Sequence, residues 1–274
     1  MVRFLKFLAK SALQRAGYDI QIRYRPVVSG YRNFEWLLHQ SRYEPLTIEL
    51  FQRKFRIADS LSFYYSYQEI FGRDIYLFHS DKKDPLIIDC GSNYGTSILY
   101  FKRIFPEARI IAFEPDPAIF DLLRWNMHSF GFEDVEIHNL AIWQDQTSMP
   151  FSSDGADGGR IVSDVSQNML LVPTVRLDDY LVSHVDMLKI DIEGAEVDVL
   201  ATVSRLQSVT NVFIEYHSFM DQQQRLPELL SLLRDAGFRY QVHTQFSPQR
   251  PFVDKVVQNS MDLQLNVFAY RGPK

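Results

Sequence analysis

The chain has 274 residues, 46% of them hydrophobic and 23% charged. This is the balance of an ordinary globular fold, with room for one large domain and an extension. A formal net charge of −5 excludes a general nucleic-acid binder, which carries a basic surplus. The single cysteine, Cys90, excludes an internal disulfide framework and points to a reducing, cytoplasmic setting.

Residues 1–17, "MVRFLKFLAKSALQRAG", alternate apolar side chains with Arg3, Lys6, Lys10 and Arg15. The pattern predicts a basic amphipathic helix. Such a helix docks on its own domain or on a second subunit, as in a homo-oligomer, or it lies peripherally on an anionic membrane surface. There is no long apolar core with a small-residue cleavage site and no apolar stretch of bilayer length, so neither a secretory signal nor a membrane span is expected. Residues 1–80 read as a helical N-terminal extension or cap, with short helices over "FEWLLHQ", "LTIELFQRKF" and "SFYYSYQEIFG".

From there to residue 274 apolar runs alternate with amphipathic segments, which predicts βαβ units and a mostly parallel sheet with helices on both faces. "LIIDC" is a buried strand followed by the helix "TSILYFKRIF". "RIIAFE" is the next strand, and "PAIFDLLRWNMHSF" its helix, with Pro117 in the first turn and Gly131 past the end. "VEIHN" is a third strand. The polar, Gly-rich "SSDGADGG" is a loop, and its Asp154 and Asp157 read as a solvated hairpin tip more readily than as metal ligands. "VDMLKIDIE" and "NVFIEYH" are further parallel strands, each followed by a helix, "AEVDVLATVSRL" and "LPELLSLLRDA". "FRYQVHTQ" and "LQLNVFAYR" close the chain as an antiparallel pair.

Two places carry chemistry. The first is "IIDCGSNYGTS", a strand-to-helix turn with Asp89, Gly91, Ser92, Asn93 and Gly95. A phosphate loop of the Walker type needs a Lys after its last glycine, and Thr96 stands there. A dinucleotide turn needs a middle glycine, and Asn93 stands there. S-adenosylmethionine has no phosphate to grip and a cationic methionine end, which suits an acid just before the glycines. Glu114, ending the next strand, can accept hydrogen bonds from both ribose hydroxyls, a feature shared with NAD folds. Cys90 reads as a small buried filler.

The second place is "LKIDIEGAE" with "FIEYH". Side chains alternate along a strand, so Lys189, Asp191 and Glu193 share one side, as do Glu215 and His217 on the next strand. Their convergence suggests His217 as the base for a hydroxyl nucleophile, with Asp191 and Glu215 assisting. Asp191, Glu193 and Glu215 are also candidate ligands of a divalent cation. The bland alternative is a set of buried ion pairs at a helix start.

Together "IIDCGSNYGTS", "IAFEPDP", "NLAIWQD", "TVRLDDYL" and "MLKIDIEGAEVDVL" resemble the FkbM-type S-adenosylmethionine-dependent methyltransferases, over roughly residues 60–240. The resemblance implies a class I, Rossmann-like methyltransferase fold over 81–274 and O-methylation of a sugar, glycan or natural-product-like small molecule. By position, it implies that Asp89 and the Gly91–Gly95 turn meet the methionine end and that Glu114 meets the ribose. Asn139, Leu140 and Ala141 would lie beside the adenine, and Asp191 where cofactor and acceptor meet. An NAD-linked oxidoreductase on a related fold and a non-catalytic cofactor-binding protein are the alternatives.

Overall fold

The computed structural model describes residues 28, 30–156, 158–162, 169–254 and 260–272. The basic segment 1–17 and Asp157 lie outside the described residues.

The first departure from expectation falls at "LTIELFQRKF". It is not a helix but a hairpin, β1 (Leu46–Leu50) antiparallel to β2 (Arg53–Ile57). Ile48, Leu50, Phe55 and Ile57 are buried, while Thr47, Glu49, Lys54 and Arg56 are exposed, a period of two. Phe51 and Gln52 join the strands with φ of 50° and 67°. Two left-handed residues give the turn whose twist matches a hairpin, and the Asn-Gly pair that usually marks it is missing here. The expected helix over "FEWLLHQ" is a 3-10 turn, Glu35–His39. "SFYYSYQEIFG" is helical, beginning earlier as α1 (Ser60–Tyr67). Asp59 caps it, accepting from Ser62 N at 2.9 Å. α1 runs into a π-helical turn, Gln68–Gly72.

The α/β series follows as expected. β3 (Leu86–Cys90) is buried at every position, as a strand covered on both faces should be. It leads through the glycine turn to α2 (Thr96–Ile104), then to β4 (Arg109–Phe113) and α3 (Pro117–Phe130). α3 starts at Asp116, whose carboxylate accepts from Ala118 N, and stops at Gly131 with φ 71°. β5 (Glu136–His138) completes that edge. β6 (Ala141–Trp143), β7 (Ser148–Ser152), β8 (Arg160–Ile161) and β9 (Leu170–Arg176) form a separate four-stranded sheet in the order β6-β9-β7-β8. β10 (Val185–Ile190) returns to the main sheet, followed by α4 (Glu196–Ala201), β11 (Val209–Phe219), α5 (Leu226–Asp235), β12 (Arg239–Phe246) and β13 (Met261–Tyr270). α4 is shorter than the pattern predicts. The Asp178 carboxylate accepts from Ser204 N at 2.9 Å and Arg205 N at 3.0 Å, holding the chain in a non-helical path.

The main sheet has the order β12-β13-β11-β10-β3-β4-β5. β5, β4, β3, β10 and β11 are parallel, and β13 runs antiparallel between β11 and β12. This is the strand order of a class I methyltransferase. Along β3 the apolar side chains split by face. Ile87 joins a core with Leu99 of α2 and Leu123 of α3, and Ile88 joins one with Val199 of α4 and Leu229 of α5.

The first core also takes in Phe55 of the hairpin and Phe63 and Tyr67 of α1, so it runs unbroken past residue 80. Asn126 of α3 fastens the hairpin from within. Fully buried, it accepts from Arg56 N at 2.7 Å and donates to Arg56 O and Tyr94 O, both at 2.8 Å. The strand order reverses between β3 and β10. In an open sheet of this kind the ligand crevice opens beyond the carboxyl ends of the strands at that point.

Candidate active site

The turn after β3 is shaped by close backbone approach. Gly91 has φ +83°, and a Cβ there would lie 1.8 Å from the Asp191 carbonyl oxygen. Only glycine lets the ends of β3 and β10 come so near. Gly91 N and Ser92 N donate to Phe113 O at 3.0 and 2.9 Å, tying the turn to β4. Asn93 is left-handed with φ 49°, a conformation Asn tolerates. Its N–H donates to Glu114 Oε2 at 2.9 Å, and its side chain donates to Ala156 O at 3.2 Å in the loop after β7.

Glu114 also accepts from Asp116 N at 2.9 Å. Burial pushes its carboxyl up to about 8, against the two backbone N–H groups and with the nearby Asp116 charge adding to the rise. The carboxylate of Asp154 is turned into its own loop, accepting from Ala156 N at 2.9 Å and Gly158 N at 3.0 Å, as a plain turn residue does.

Behind the turn sits a buried ion cluster. Lys189 Nζ lies 3.2 Å from Asp89 and 3.3 Å from Asp191, and it donates to Gly91 O at 2.8 Å. Ser97 Oγ donates to the other Asp89 oxygen at 2.5 Å. Asp89 has no exposed surface. The residue expected beside the methionine end here neutralises Lys189 and pins the start of α2 through Ser97.

The carboxylate–histidine group closes the other side. His217 Nδ1 lies 3.0 Å from Glu196 Oε1, and Nε2 lies 3.5 Å from Glu193 Oε2. Burial opposes a charge on the ring, but the Glu193, Glu196 and Glu215 carboxylates outweigh it and hold the imidazole well above its usual range. Gln264 of β13 donates to Glu215. Burial, with the Asp191 charge adding, pushes the Glu215 carboxyl up to about 8. The ligand atoms of Asp191, Glu215 and His217 lie within 4.8 Å of one another. Among the three metal candidates, Glu193 is not in that group, and His217 takes its place.

These groups line one cleft of about 640 Å³, within the usual range for a small-molecule site. Gly91, Ser92, Asn93, Glu114, Ala141, Asp191, Glu193, Glu215 and His217 all border it. Asp89 and Gly95 do not. Gly95, with φ +95°, instead starts α2 where a Cβ would strike Met127 and Leu123. Asn139 braces the wall from behind, donating to Glu114 O at 2.8 Å and Pro115 O at 3.0 Å. Sequence reasoning missed Glu196, Gln264 and the cleft-lining Glu69. Glu196 lies in the quoted "EGAE", where its place near the first turn of α4 reads as dipole chemistry.

The Gly91–Asn93 turn bordering the cleft, the carboxylate at the end of β4 and the size of the cleft all fit S-adenosylmethionine. The methyltransferase FkbM domain matches residues 89–240. Methyltransferase 1 of Beauveria bassiana is 29% identical, the match covering 66% of this chain and 83% of that one. The 31-O-demethyl-FK506 methyltransferase FkbM of Streptomyces tacrolimicus is 28% identical, covering 63% and 80%. The 2-O-methyltransferase NoeI of Sinorhizobium fredii is 27% identical, covering 52% and 66%. Among solved structures, a methyltransferase FkbM from Methylobacillus flagellatus aligns with a TM-score of 0.45 at 14% identity, over 69% of this chain and 45% of that one. With more than half of the chain inside the domain match, this protein belongs to the FkbM family of S-adenosylmethionine-dependent methyltransferases.

Proposed function

We propose that the protein methylates a hydroxyl group of a sugar, glycan or natural-product-like small molecule. The observation that carries this reading is the meeting, in one cleft, of the glycine turn and Glu114 with the Asp191–Glu215–His217 group. S-adenosylmethionine supplies a methyl group on a positively charged sulfur. The Gly91–Asn93 turn would hold the methionine end, the Glu114 carboxyl would accept from the ribose hydroxyls, and Ala141 would border the adenine.

Asp191 and Glu215 would hold the acceptor hydroxyl and take its proton as the oxygen bonds the methyl, the S–CH3 bond breaking and S-adenosylhomocysteine leaving with a neutral sulfur. The surrounding carboxylates raise the His217 imidazole well above its usual range, which favours its charged form and makes it a poor proton acceptor. The base role expected of it passes to the carboxylates, and His217 fixes their surroundings. Most of the rate would come from alignment of the hydroxyl and the methyl in the cleft. The names of NoeI, FkbM and the hexuronic acid methyltransferase AglP of Haloferax volcanii, also a relative, support a hydroxyl on a sugar or natural product.

A second reading rests on the 4.8 Å grouping of Asp191, Glu215 and His217, which is suited to a divalent cation that would acidify the hydroxyl. Loss of activity on chelation, restored by Mg²⁺, supports it, and indifference to chelation removes it.

The main test is mass spectrometry of neutral glycosides and polyols incubated with the enzyme and deuterated-methyl S-adenosylmethionine. Methyl transfer to oxygen, abolished by Asp191→Asn with Glu215→Gln, is the expected result. Transfer to nitrogen or carbon alone, or transfer unchanged in the double variant, would overturn it. Quenching of NADH fluorescence on addition of the protein would favour the oxidoreductase alternative. Cofactor binding with no transfer to any acceptor would favour the non-catalytic one.

A further inference from the structure

The cleft has a carboxylate that sequence motifs do not single out. Glu69 sits in the π-helical turn Gln68–Gly72, and such turns recur at functional sites because the extra residue re-aims a side chain. Its side chain is 15% exposed and borders the same cleft as Asp191 and Glu215. The two closing strands hold a matched pair of glutamines against this region. Gln245 of β12 borders the cleft on the Glu69 side and lowers the Glu69 carboxyl against its burial, and Gln264 of β13 hydrogen-bonds Glu215. Asn266 in turn donates to Gln245 Oε1 at 3.4 Å. Gln264 fixes the aim of Glu215, and Arg73, 3.4 Å away, holds Glu69 at the rim.

The charges there are one-sided. Glu69, Asp89, Asp191, Glu193, Glu196 and Glu215 face Lys189, His217 and Arg73. Every Lys or Arg bordering the cleft among the described residues already has a carboxylate. Lys189 has Asp89 and Asp191, Arg42 lies 3.0 Å from Asp59, and Arg73 lies 3.4 Å from Glu69 at the rim. Burial, reinforced by the Asp191 charge, raises the Glu69 carboxyl, so the region already resists its own negative charge. A bound carboxylate would find no uncommitted cation there. Neighbouring hydroxyls, or a hydroxyl beside an amine, would find acceptors already aimed.

We infer that Glu69 is a specificity-determining residue which, with Glu215, selects an acceptor ring that is uncharged or amine-bearing against the same ring carrying a carboxylate. This rests on the hydroxyl-methylating reading and deepens it.

The test uses three matched probes: methyl glucopyranoside, methyl glucosaminide and methyl glucuronide. Their binding is measured by ligand-observed NMR with S-adenosylhomocysteine present, for wild type, Glu69→Gln and Glu69→Lys. Calorimetry with S-adenosylmethionine on the same preparations reports the fold and the cofactor site. Wild type is expected to bind the first two at least about tenfold more tightly than the glucuronide, a difference of about 1.4 kcal/mol. Glu69→Gln shrinks the glucosaminide-to-glucuronide ratio about fivefold and Glu69→Lys inverts it, at unchanged cofactor affinity. Preference for the glucuronide, equal binding of the three, binding of none, or a ratio unmoved by Glu69→Gln would each overturn the assignment. A wild-type protein that sorts the probes as expected but transfers no methyl to oxygen overturns the proposed reaction alone.

Discussion

Replacing Lys189 with Met tests whether the ion cluster behind the glycine turn is structural. The Lys189 side chain is 3% exposed, that of Asp89 is not exposed at all, and the two charges stand 3.2 Å apart. Met fills most of the volume of Lys but leaves the Asp89 carboxylate buried with only Ser97 Oγ beside it, at 2.5 Å. Stranding one partner of a buried pair costs about 3–5 kcal/mol. The lost donation to Gly91 O, made at 2.8 Å, adds to that. In a chain of this size each kcal/mol lowers the melting temperature by roughly 2–4 °C, so a fall of roughly 10 °C is expected. Adding Asp89→Asn removes the stranded charge, and the double variant should recover at least about half of the loss, since deleting both partners of a buried pair is close to neutral. Urea unfolding of both single variants and the double variant gives the cycle directly, provided the slopes agree. A Lys189→Met loss below about 1 kcal/mol, or a double variant no more stable than the single, refutes the structural role assigned to Asp89.

Two further substitutions probe the turn and the acid beside it. Gly91→Ala should abolish cofactor binding by calorimetry and destabilise the fold by several kcal/mol, because its Cβ would meet the Asp191 carbonyl at 1.8 Å in a left-handed backbone; wild-type affinity in that variant would mean the turn adopts another shape in solution. Glu114, raised to about 8 in the fold, makes a stabilising contribution that is fully present below its unfolded value near 4.5 and is lost as pH rises through 8. Urea melts of the ligand-free protein between pH 5 and 7.5 should therefore fall more steeply for wild type than for Glu114→Gln, by up to about 1.4 kcal/mol per pH unit, and parallel slopes would show that Glu114 ionises freely.

What could be read from the sequence follows how local its physical cause is. α3 is fixed by Asp116, Pro117 and Gly131, which cap and stop it within its own stretch of chain, and its bounds in the structure coincide with the pattern. β3 reads as a buried strand because both of its faces are covered, so every residue is apolar or tied into the ion cluster. The β1–β2 hairpin fails the same kind of reading. Its turn residues, Phe51 and Gln52, hold positive φ without the usual Gly or Asn, and its apolar spacing over ten residues also suits a helix face. What decides for the hairpin is distant: Asn126, seventy residues on, bonds both backbone groups of Arg56.

The same contrast divides the active site. The proposed cofactor side is drawn from the β3 turn, the end of β4 and the start of β6, three points met in chain order within about fifty residues, so its residues carry a motif. The acceptor side joins Glu69 from the N-terminal segment, Asp191 and Glu193 after β10, and Glu215 and His217 on β11. Gln245 and Gln264, from the closing antiparallel pair, border the same cleft, and Gln264 holds Glu215. No spacing rule links those segments, because only the fold brings them together. The two halves also differ in what holds them. The turn at Gly91 is set by backbone approach and a buried lysine, which tolerate little change, whereas Glu215 is aimed by a side-chain hydrogen bond from Gln264 and Glu69 by Arg73 at the rim. On the proposed reading, substitutions in the π-helical turn or in β12 and β13 are expected to shift acceptor choice in the probe-binding measurement while cofactor affinity, set at Gly91 and Glu114, stays unchanged.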